Sequence, residues 1–119
     1  MSKIVLTLTE EQAKIVSKAC EFYARIRYGQ FKEITWHCLD FTIKEDDIFQ
    51  RRDMAEELLL EARKQLYPEL HGWGHSYGIG KFKDADMSYD VHQVIREKFG
   101  DQRGTFSYYE LPKCERVDE

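Results

Sequence analysis

The ten residues K-I-V-L-T-L-T-E-E-Q at positions 3–12 determine the fold expected for this chain. Lys3–Leu8 is a short β-branched run with partial alternation, which predicts a strand. Thr9, followed three residues later by Gln12, has the form of a capping box, so a helix is expected to begin at once after the strand.

Outward from this stretch, apolar spacing predicts three longer helices and one short helical piece. The first runs to Gly29, a short second piece lies at 31–39, and the clearest helix runs over 48–67 and ends before Pro68. We expect the buried stripe of that clearest helix to be Ala55, Leu58, Leu59, Ala62 and Leu66.

The last helix is expected to begin at Asp84 or Asp86 and to be closed by Gly100. Its apolar face is predicted to be Met87, Val91, Val94, Ile95 and Phe99. The aromatic, β-prone segment Thr105–Leu111 follows, and we expect it to return as a strand beside Lys3–Leu8. The fold class predicted is therefore α+β: a small antiparallel sheet from the terminal segments, packed with two long helices and a third shorter helix.

Size and charge restrict the classes of function. The 119 residues are expected to form a single domain, 1–119, with a formal charge of −4. A net acidic chain is a poor binder of nucleic-acid polymers, although a local basic pocket for a small anion is allowed. The longest clean apolar run is Leu58–Leu60, far short of a membrane span, and we expect no membrane association.

Cysteine usage and the N-terminus indicate the compartment. The three cysteines are odd in number and widely spaced, and we expect reduced thiols in a cytosolic protein, two of them buried and one near the tail, at Cys20, Cys38 and Cys114. The start of the chain carries no secretory signal pattern.

Catalytic and metal motifs are weak. His71 and His75 have a chelating spacing only on a helix, and the glycines at 72 and 74 oppose one, so no metal is expected. The chain contains no GxSxG, HExxH or phosphate-binding-loop motif. No catalytic residue and no cofactor are predicted.

The residues that favour ligand binding lie in the second half of the chain. Four of the seven glycines fall within 72–80, and such a loop before a helix exposes N–H donors to an anion. Arg96 and Arg103 bracket the end of that helix and offer bidentate forks for phosphate, while Tyr77 and Phe82 offer ring faces for a base. This set suits a small nucleotide. The alternative is a structural role for both residues, in which Arg96 only interacts with the helix dipole and Phe82 is a core residue.

Six segments of the chain carry a resemblance to a known family. They are K-I-V-L-T-L-T-E-E-Q-A (3–13), Y-A-R-I-R-Y-G-Q-F-K-E-I (23–34), R-R-D-M-A-E-E-L-L-L-E-A-R (51–63), H-S-Y-G-I-G (75–80), D-A-D-M-S-Y-D-V-H-Q-V-I-R (84–96) and F-S-Y-Y-E-L-P-K (106–113). In this order the chain resembles the phage Thoeris anti-defence proteins of the first described type. The stretch 97–103 departs from the family's tryptophan-containing pattern, and the tail after Pro112 is short.

The resemblance implies a non-enzymatic sponge acting in the host cytoplasm. Such proteins bind a cyclic ADP-ribose isomer, here glycocyclic ADP-ribose, made by a bacterial TIR-domain immune enzyme, and hold it intact so that its effector is starved. By position, the implied ligand residues are Ser76, Tyr77, Phe82, Asp90, Arg96 and Arg103.

The family is also linked to a second pocket for cyclic di- or trinucleotide messengers of CBASS defence. For that pocket the candidates are Arg25 and Arg27, and the implied assembly is a homodimer or a hexamer built as a trimer of dimers. A solvated mixed-charge surface is the ordinary explanation for these two arginines, which are two apart and do not share a helix face.

Two other classes of function stay open. One is a small enzyme that degrades a nucleotide signal, for which His71, His75 and Asp90 would be the suspects. The other is a structural or protein-binding phage module, in which the aromatic residues serve as an interface.

Overall fold

Four helices make up the fold in a computed structural model of the chain, which describes residues 2–118. In chain order these are α1 (Glu10–Arg27), α2 (Glu33–Cys38), α3 (Ile48–Leu66) and α4 (Lys83–Lys98). None of the helices in this described part is long and apolar enough to cross a bilayer.

The predicted sheet is wrong, because residues 2–118 contain no strand. Lys3–Leu8 is extended but unpaired, with Ile4 96% exposed. The two terminal segments do meet at one ion pair, in which Lys3 Nζ lies 3.4 Å from Glu110 Oε1. The fold class is therefore all-α over the described residues, and the α+β expectation is corrected.

A side chain of α4 takes the place of the missing strand partner. The Gln93 amide donates to the Phe106 carbonyl at 2.9 Å and accepts from the Phe106 N–H at 3.1 Å. Tyr109 N–H donates to Ser107 Oγ at 3.0 Å, which forms a local turn. Because the backbone groups of Phe106 and the Tyr109 N–H are satisfied by side chains, they are not free to form a ladder with Lys3–Leu8.

The start and the end of α1 are as predicted. Thr9 Oγ1 accepts from Gln12 N–H at 3.1 Å and Gln12 Oε1 accepts from Thr9 N–H at 3.0 Å, which completes the capping box. Gly29 has a φ of +88°, and an added Cβ would lie 2.5 Å from Leu70 Cδ1, so glycine is required there on two grounds.

Helices α1 and α4 pack antiparallel and form the centre of the molecule. Ser88 Oγ donates to the Cys20 carbonyl at 2.8 Å, and the Tyr23 hydroxyl donates to Asp84 Oδ2 at 2.7 Å, about one turn later in α1 and one turn earlier in α4. The core between them comprises Ala24, Tyr28 and Ala85, with Tyr77, Phe82 and Tyr89 packed against it.

The buried stripe predicted for α3 is wrong. Leu58 is 72% exposed and Leu66 65% exposed, while Ile48 and Arg63 face inward and are buried. The buried position Arg63 was missed because apolar periodicity does not score a charged residue as buried.

The face predicted for α4 is only half right. Val94 and Ile95 are buried, whereas Met87 is 49% exposed and Phe99 lies at the surface.

All three cysteines are free, as predicted, but none is buried: Cys38 is exposed and the other two are half-buried.

Candidate functional site

The glycine-rich loop at 71–80 is held against α1 by one buried arginine. Arg63 is 1% exposed and donates to the carbonyls of Gly29 at 3.1 Å and His75 at 2.8 Å, and also to that of Gly72. Tyr77 N–H donates to the Tyr28 carbonyl at 2.9 Å. These bonds fix the loop's path across the C-terminal end of α1.

Phe82 is covered by Arg27, which the sequence assigned to a different site. The Arg27 guanidinium lies 3.7 Å from the Phe82 ring centroid, and Tyr77 meets the same ring edge-on at 5.3 Å. Arg27 also donates to the Tyr67 hydroxyl at 3.1 Å. A base that stacked on this face of Phe82 would have to displace a cation–π contact.

Two buried aspartates lie on the inner face of α4, each 3% exposed. Asp86 accepts from the Tyr28 hydroxyl and from Gly80 N–H, the latter at 3.0 Å. Asp90 accepts from Ser107 Oγ at 2.6 Å. Burial raises the pKa of Asp90, with a smaller contribution from Asp86, while the Ser107 hydrogen bond lowers it. Asp90 therefore anchors the tail rather than facing an open pocket.

Arg96 and Arg103, predicted to hold phosphate, both lie near one carboxylate of the chain itself. Arg103 lies 2.6 Å and Arg96 3.6 Å from Asp101 Oδ2. The hydrogen bonds from Arg103 hold the pKa of Asp101 well below its usual range. The side chain of Arg96 is 13% exposed and that of Arg103 is 69% exposed. Arg103 is thus the arginine that a ligand can reach.

The six predicted ligand residues fall into two groups along α4. Phe82 caps the start of this helix and Arg96 lies in its last turn, so their Cα atoms are about 21 Å apart at the rise of an α-helix. Tyr77 contacts Phe82, and Ser76 is its chain neighbour. Arg103 lies with Arg96 around Asp101, and Asp90 contacts Ser107 in the tail that follows the helix. A small nucleotide cannot touch both ends within one chain.

A cavity lies between these two groups, at the junction of α1, the glycine-rich loop and α4. Its volume is about 170 Å³ and it is lined by Arg25, Tyr28, Gln30, Gly78, Ile79 and Tyr89. Arg25 was a second-site candidate, and the structure places it here instead, away from Arg27. The other five were missed by sequence reasoning, because only the packing of the loop on α1 brings them together.

The charge of this cavity is balanced within the chain. Arg25 donates to Gln30 Oε1 at 2.9 Å and lies 3.6 Å from Glu21 and 3.8 Å from Glu33. Arg103 lies close enough to Tyr89 and Glu21 for both to raise the pKa of its guanidinium, after the larger effect of Asp101. An incoming anion would exchange with these carboxylates.

The three candidate catalytic residues, His71, His75 and Asp90, do not form one catalytic centre. His71 N–H donates to His75 Nδ1 at 3.1 Å, and the two rings stack in the loop, while Asp90 bonds to Ser107 in the tail. Over the described residues, no group of three or more His, Cys, Asp or Glu side chains is placed to hold a metal ion.

Comparisons of the chain with protein-family models, with curated proteins and with solved structures find no match.

Proposed function

We propose that this protein binds and sequesters a cyclic ADP-ribose isomer of the glycocyclic type in the host cytoplasm, as the Thoeris anti-defence proteins that its sequence resembles do. The observation that carries the proposal is the cavity between α1 and the loop, where two tyrosine rings, Arg25 and the Gly78–Ile79 backbone face one space. Rings and a cation are what a base and a phosphate require.

The size of the cavity decides how such a ligand would sit. Pockets that enclose a whole drug-sized ligand measure about 300–1,000 Å³, and this one measures about 170 Å³. It therefore receives one ring or one phosphate, and the rest of the ligand lies over the open side. We place the second phosphate toward Arg103, the exposed arginine near Tyr89.

The carboxylates beside the arginines orient them and are then replaced by the ligand. Glu21 lies 3.6 Å from Arg25 and Asp101 lies 2.6 Å from Arg103, so each guanidinium is already directed by an ion pair before the anion takes the place of the carboxylate. An arginine that is already oriented loses less conformational entropy on binding, which favours slow release. Phe82 and Tyr77 pack against the core that contains Tyr28, one of the residues lining the cavity. Ser76 lies two residues before Gly78, which also lines the cavity.

Calorimetric titration with a cyclic ADP-ribose isomer tests the proposal. Arg25→Ala and Arg103→Ala should each weaken binding by about 2–4 kcal/mol, since each removes a charge-assisted contact. Tyr89→Ala should cost about 1–3 kcal/mol through lost stacking. Lys44→Ala, in the exposed linker before α3, is the matched control and should bind as the unaltered protein does.

Arg96→Ala and Phe82→Ala test where the ligand lies along α4. If the cavity is the site, both act indirectly, and Phe82→Ala should affect stability more than affinity because its ring packs on the core. Equal affinity of Arg25→Ala, Arg103→Ala and the unaltered protein would contradict the proposal.

The fate of the ligand separates a sponge from an enzyme. After incubation and denaturation of the complex, mass spectrometry should recover the isomer intact. A cleaved product would favour the enzyme that degrades a nucleotide signal.

Cyclic di- and trinucleotides are titrated in parallel, with Arg27→Ala as the variant for the second pocket. A melting temperature that no nucleotide raises would favour a protein-binding module.

A further inference from the structure

One ring nitrogen of buried His92, Nε2, has no hydrogen-bond partner in residues 2–118. The other nitrogen, Nδ1, lies 2.8 Å from Ser17 Oγ and 3.1 Å from the Ser17 carbonyl oxygen, and Ser17 Oγ donates to the His92 carbonyl at 3.2 Å. A carbonyl oxygen can only accept, so this network assigns the hydrogen of the neutral ring to Nδ1. The lone pair of Nε2 is then left without a donor.

The lone pair of Nε2 faces a carboxylate that is shared with the cavity. Glu21 Oε2 lies 3.1 Å from His92 Nε2, and the same oxygen lies 3.6 Å from Arg25 Nη2. A lone pair against a carboxylate is unfavourable, whereas a proton on Nε2 would convert this contact into a charge-assisted hydrogen bond. Arg25 and a protonated His92 are therefore alternative counter-ions for one oxygen.

The surroundings of His92 oppose this proton in the unliganded protein. Burial has the largest effect and lowers the pKa of His92, while Glu21 raises it. Arg96, one turn further along α4, and Arg103, from the tail, both lower it by their charge. Tyr89 is a further titratable neighbour, with its ring centroid 5.3 Å from the His92 ring. An anion that neutralises Arg103 would remove one of the charges that keep His92 unprotonated.

We propose that an anion bound at Arg25 is taken up together with a proton from solvent, which binds to His92 Nε2. The anion displaces the Glu21 carboxylate from Arg25, and Glu21 then has the protonated His92 as its counter-ion. This inference rests on the proposed function, because the displaced ion pair is the one that the ligand's phosphate is expected to replace. His92 acts through Glu21 and does not touch the ligand, so it is a positioning residue.

Calorimetric titration with a cyclic ADP-ribose isomer tests the coupled proton. Binding that favours protonation of His92 must itself tighten as pH falls. The affinity of the unaltered protein should rise roughly three- to tenfold from about pH 7.5 to about pH 5.5. Titrations in two buffers with different heats of ionisation should record proton uptake on binding. His92→Gln should show neither effect. Proton uptake that His92→Gln retains, or none in the unaltered protein, overturns the proposal.

A pH titration of the unliganded protein tests the same coupling without a nucleotide. The NMR shift of His92 Cε1–H, assigned with His92→Gln, reports protonation of the ring. Arg25→Gln should raise the pKa of His92, since Glu21 loses its other counter-ion, and Glu21→Gln should lower it. Lys18→Gln, at an exposed residue of α1 and with the same loss of charge, is the matched control and should leave this pKa nearly unchanged. An unchanged pKa of His92 in Arg25→Gln overturns the proposal.

The two experiments separate this inference from the proposed function. An isomer that binds at no pH from about 5.5 to about 7.5 contradicts the proposed function, and the pKa of His92 in Arg25→Gln then decides the coupling alone. An isomer that binds equally tightly across this range, without proton uptake, supports sequestration and overturns the role of His92.

Discussion

Arg63 is the largest side chain that is fully buried in the described residues, and it has no carboxylate partner. Its guanidinium is solvated by three carbonyls and by the Trp73 ring, whose centroid lies 5.0 Å away. Burial without a counter-ion lowers the pKa of this group. The buried charge is tolerated because the three carbonyl oxygens accept hydrogen bonds from the guanidinium.

Replacing Arg63 should loosen the loop that shapes the cavity. Arg63→Met is expected to destabilise the protein by about 2–4 kcal/mol, since it leaves three carbonyls without a donor. Denaturant unfolding measures the loss. Lys64→Met, at the exposed neighbouring residue, should change stability by less than about 0.5 kcal/mol. Equal losses of stability in the two variants would show that the hydrogen bonds from Arg63 to the loop carbonyls do not stabilise the fold.

His92 is buried between α1 and α4 and makes stability depend on pH. Its Nδ1 lies 2.8 Å from Ser17 Oγ and its Nε2 lies 3.1 Å from Glu21 Oε2. Burial lowers the pKa of His92 below its ordinary value of 6.5; Glu21 opposes this shift, and Arg96 and Arg103 add to it.

The sign of this dependence follows from proton linkage. Below about pH 6.5 the unfolded chain binds a proton that the folded chain does not, so the contribution of neutral His92 to stability is lost as pH falls. We expect His92→Gln to flatten the pH dependence of the free energy of unfolding between about pH 5 and pH 7.5. Gln102→Ala, at an exposed residue that does not titrate, is the control and should leave the slope unchanged. An unchanged slope in His92→Gln would mean that another group titrates.

At the scale of elements, α4 organises both the loop before it and the tail after it. Asp86 accepts from Gly80 N–H, Asp90 from Ser107, and Gln93 clamps Phe106. Each of these residues lies one turn beyond the last. The inner face of α4 is therefore a row of polar side chains that satisfies irregular backbone on both sides of the helix.

Gln93→Ala should free the tail without unfolding the helices. The Phe106 N–H and carbonyl lose their partner, and the expected loss is about 1–3 kcal/mol. Hydrogen exchange should show faster exchange confined to residues 105–109. Gln102→Ala, in an exposed position, serves as the comparison. Faster exchange throughout α1 and α4 would instead mean that Gln93 supports the core.

At the scale of the whole molecule, the chain is less compact than its length suggests. Its radius of gyration is 16.8 Å, against about 13.5 Å for a compact domain of 119 residues. Ile4, Val5 and Leu6 near the N-terminus and Leu58 and Leu66 on α3 are all at least 65% exposed. The folding free energy must therefore come mainly from the α1–α4 pair and from the loop fixed by Arg63.

Removal of residues 2–6 tests how far the N-terminal segment supports the fold. Ile4, Val5 and Leu6 are at least 71% exposed, so their loss should leave the helical content unchanged and the melting temperature within a few degrees. Thermal unfolding followed by circular dichroism measures this. A large drop in melting temperature would show that these residues are buried in solution, against a partner or against the chain itself.

The sequence by itself determined those features whose causes are local. The capping box at Thr9 and Gln12, the end of α1 at Gly29 and the span of α3 follow from neighbours within four residues, and all three predictions are confirmed.

Tertiary structure decided which segments and faces found partners. Lys3–Leu8 has the composition of a strand, but a strand needs a backbone partner, and Gln93 had already satisfied Phe106. In α3, Leu58 and Leu66 of the predicted stripe are exposed, whereas Arg63 is buried against the loop carbonyls. The cavity joins residues from 25 to 89, and its residues come together only when the loop packs on α1. Local spacing carries no information about such long-range competition for hydrogen bonds and buried area.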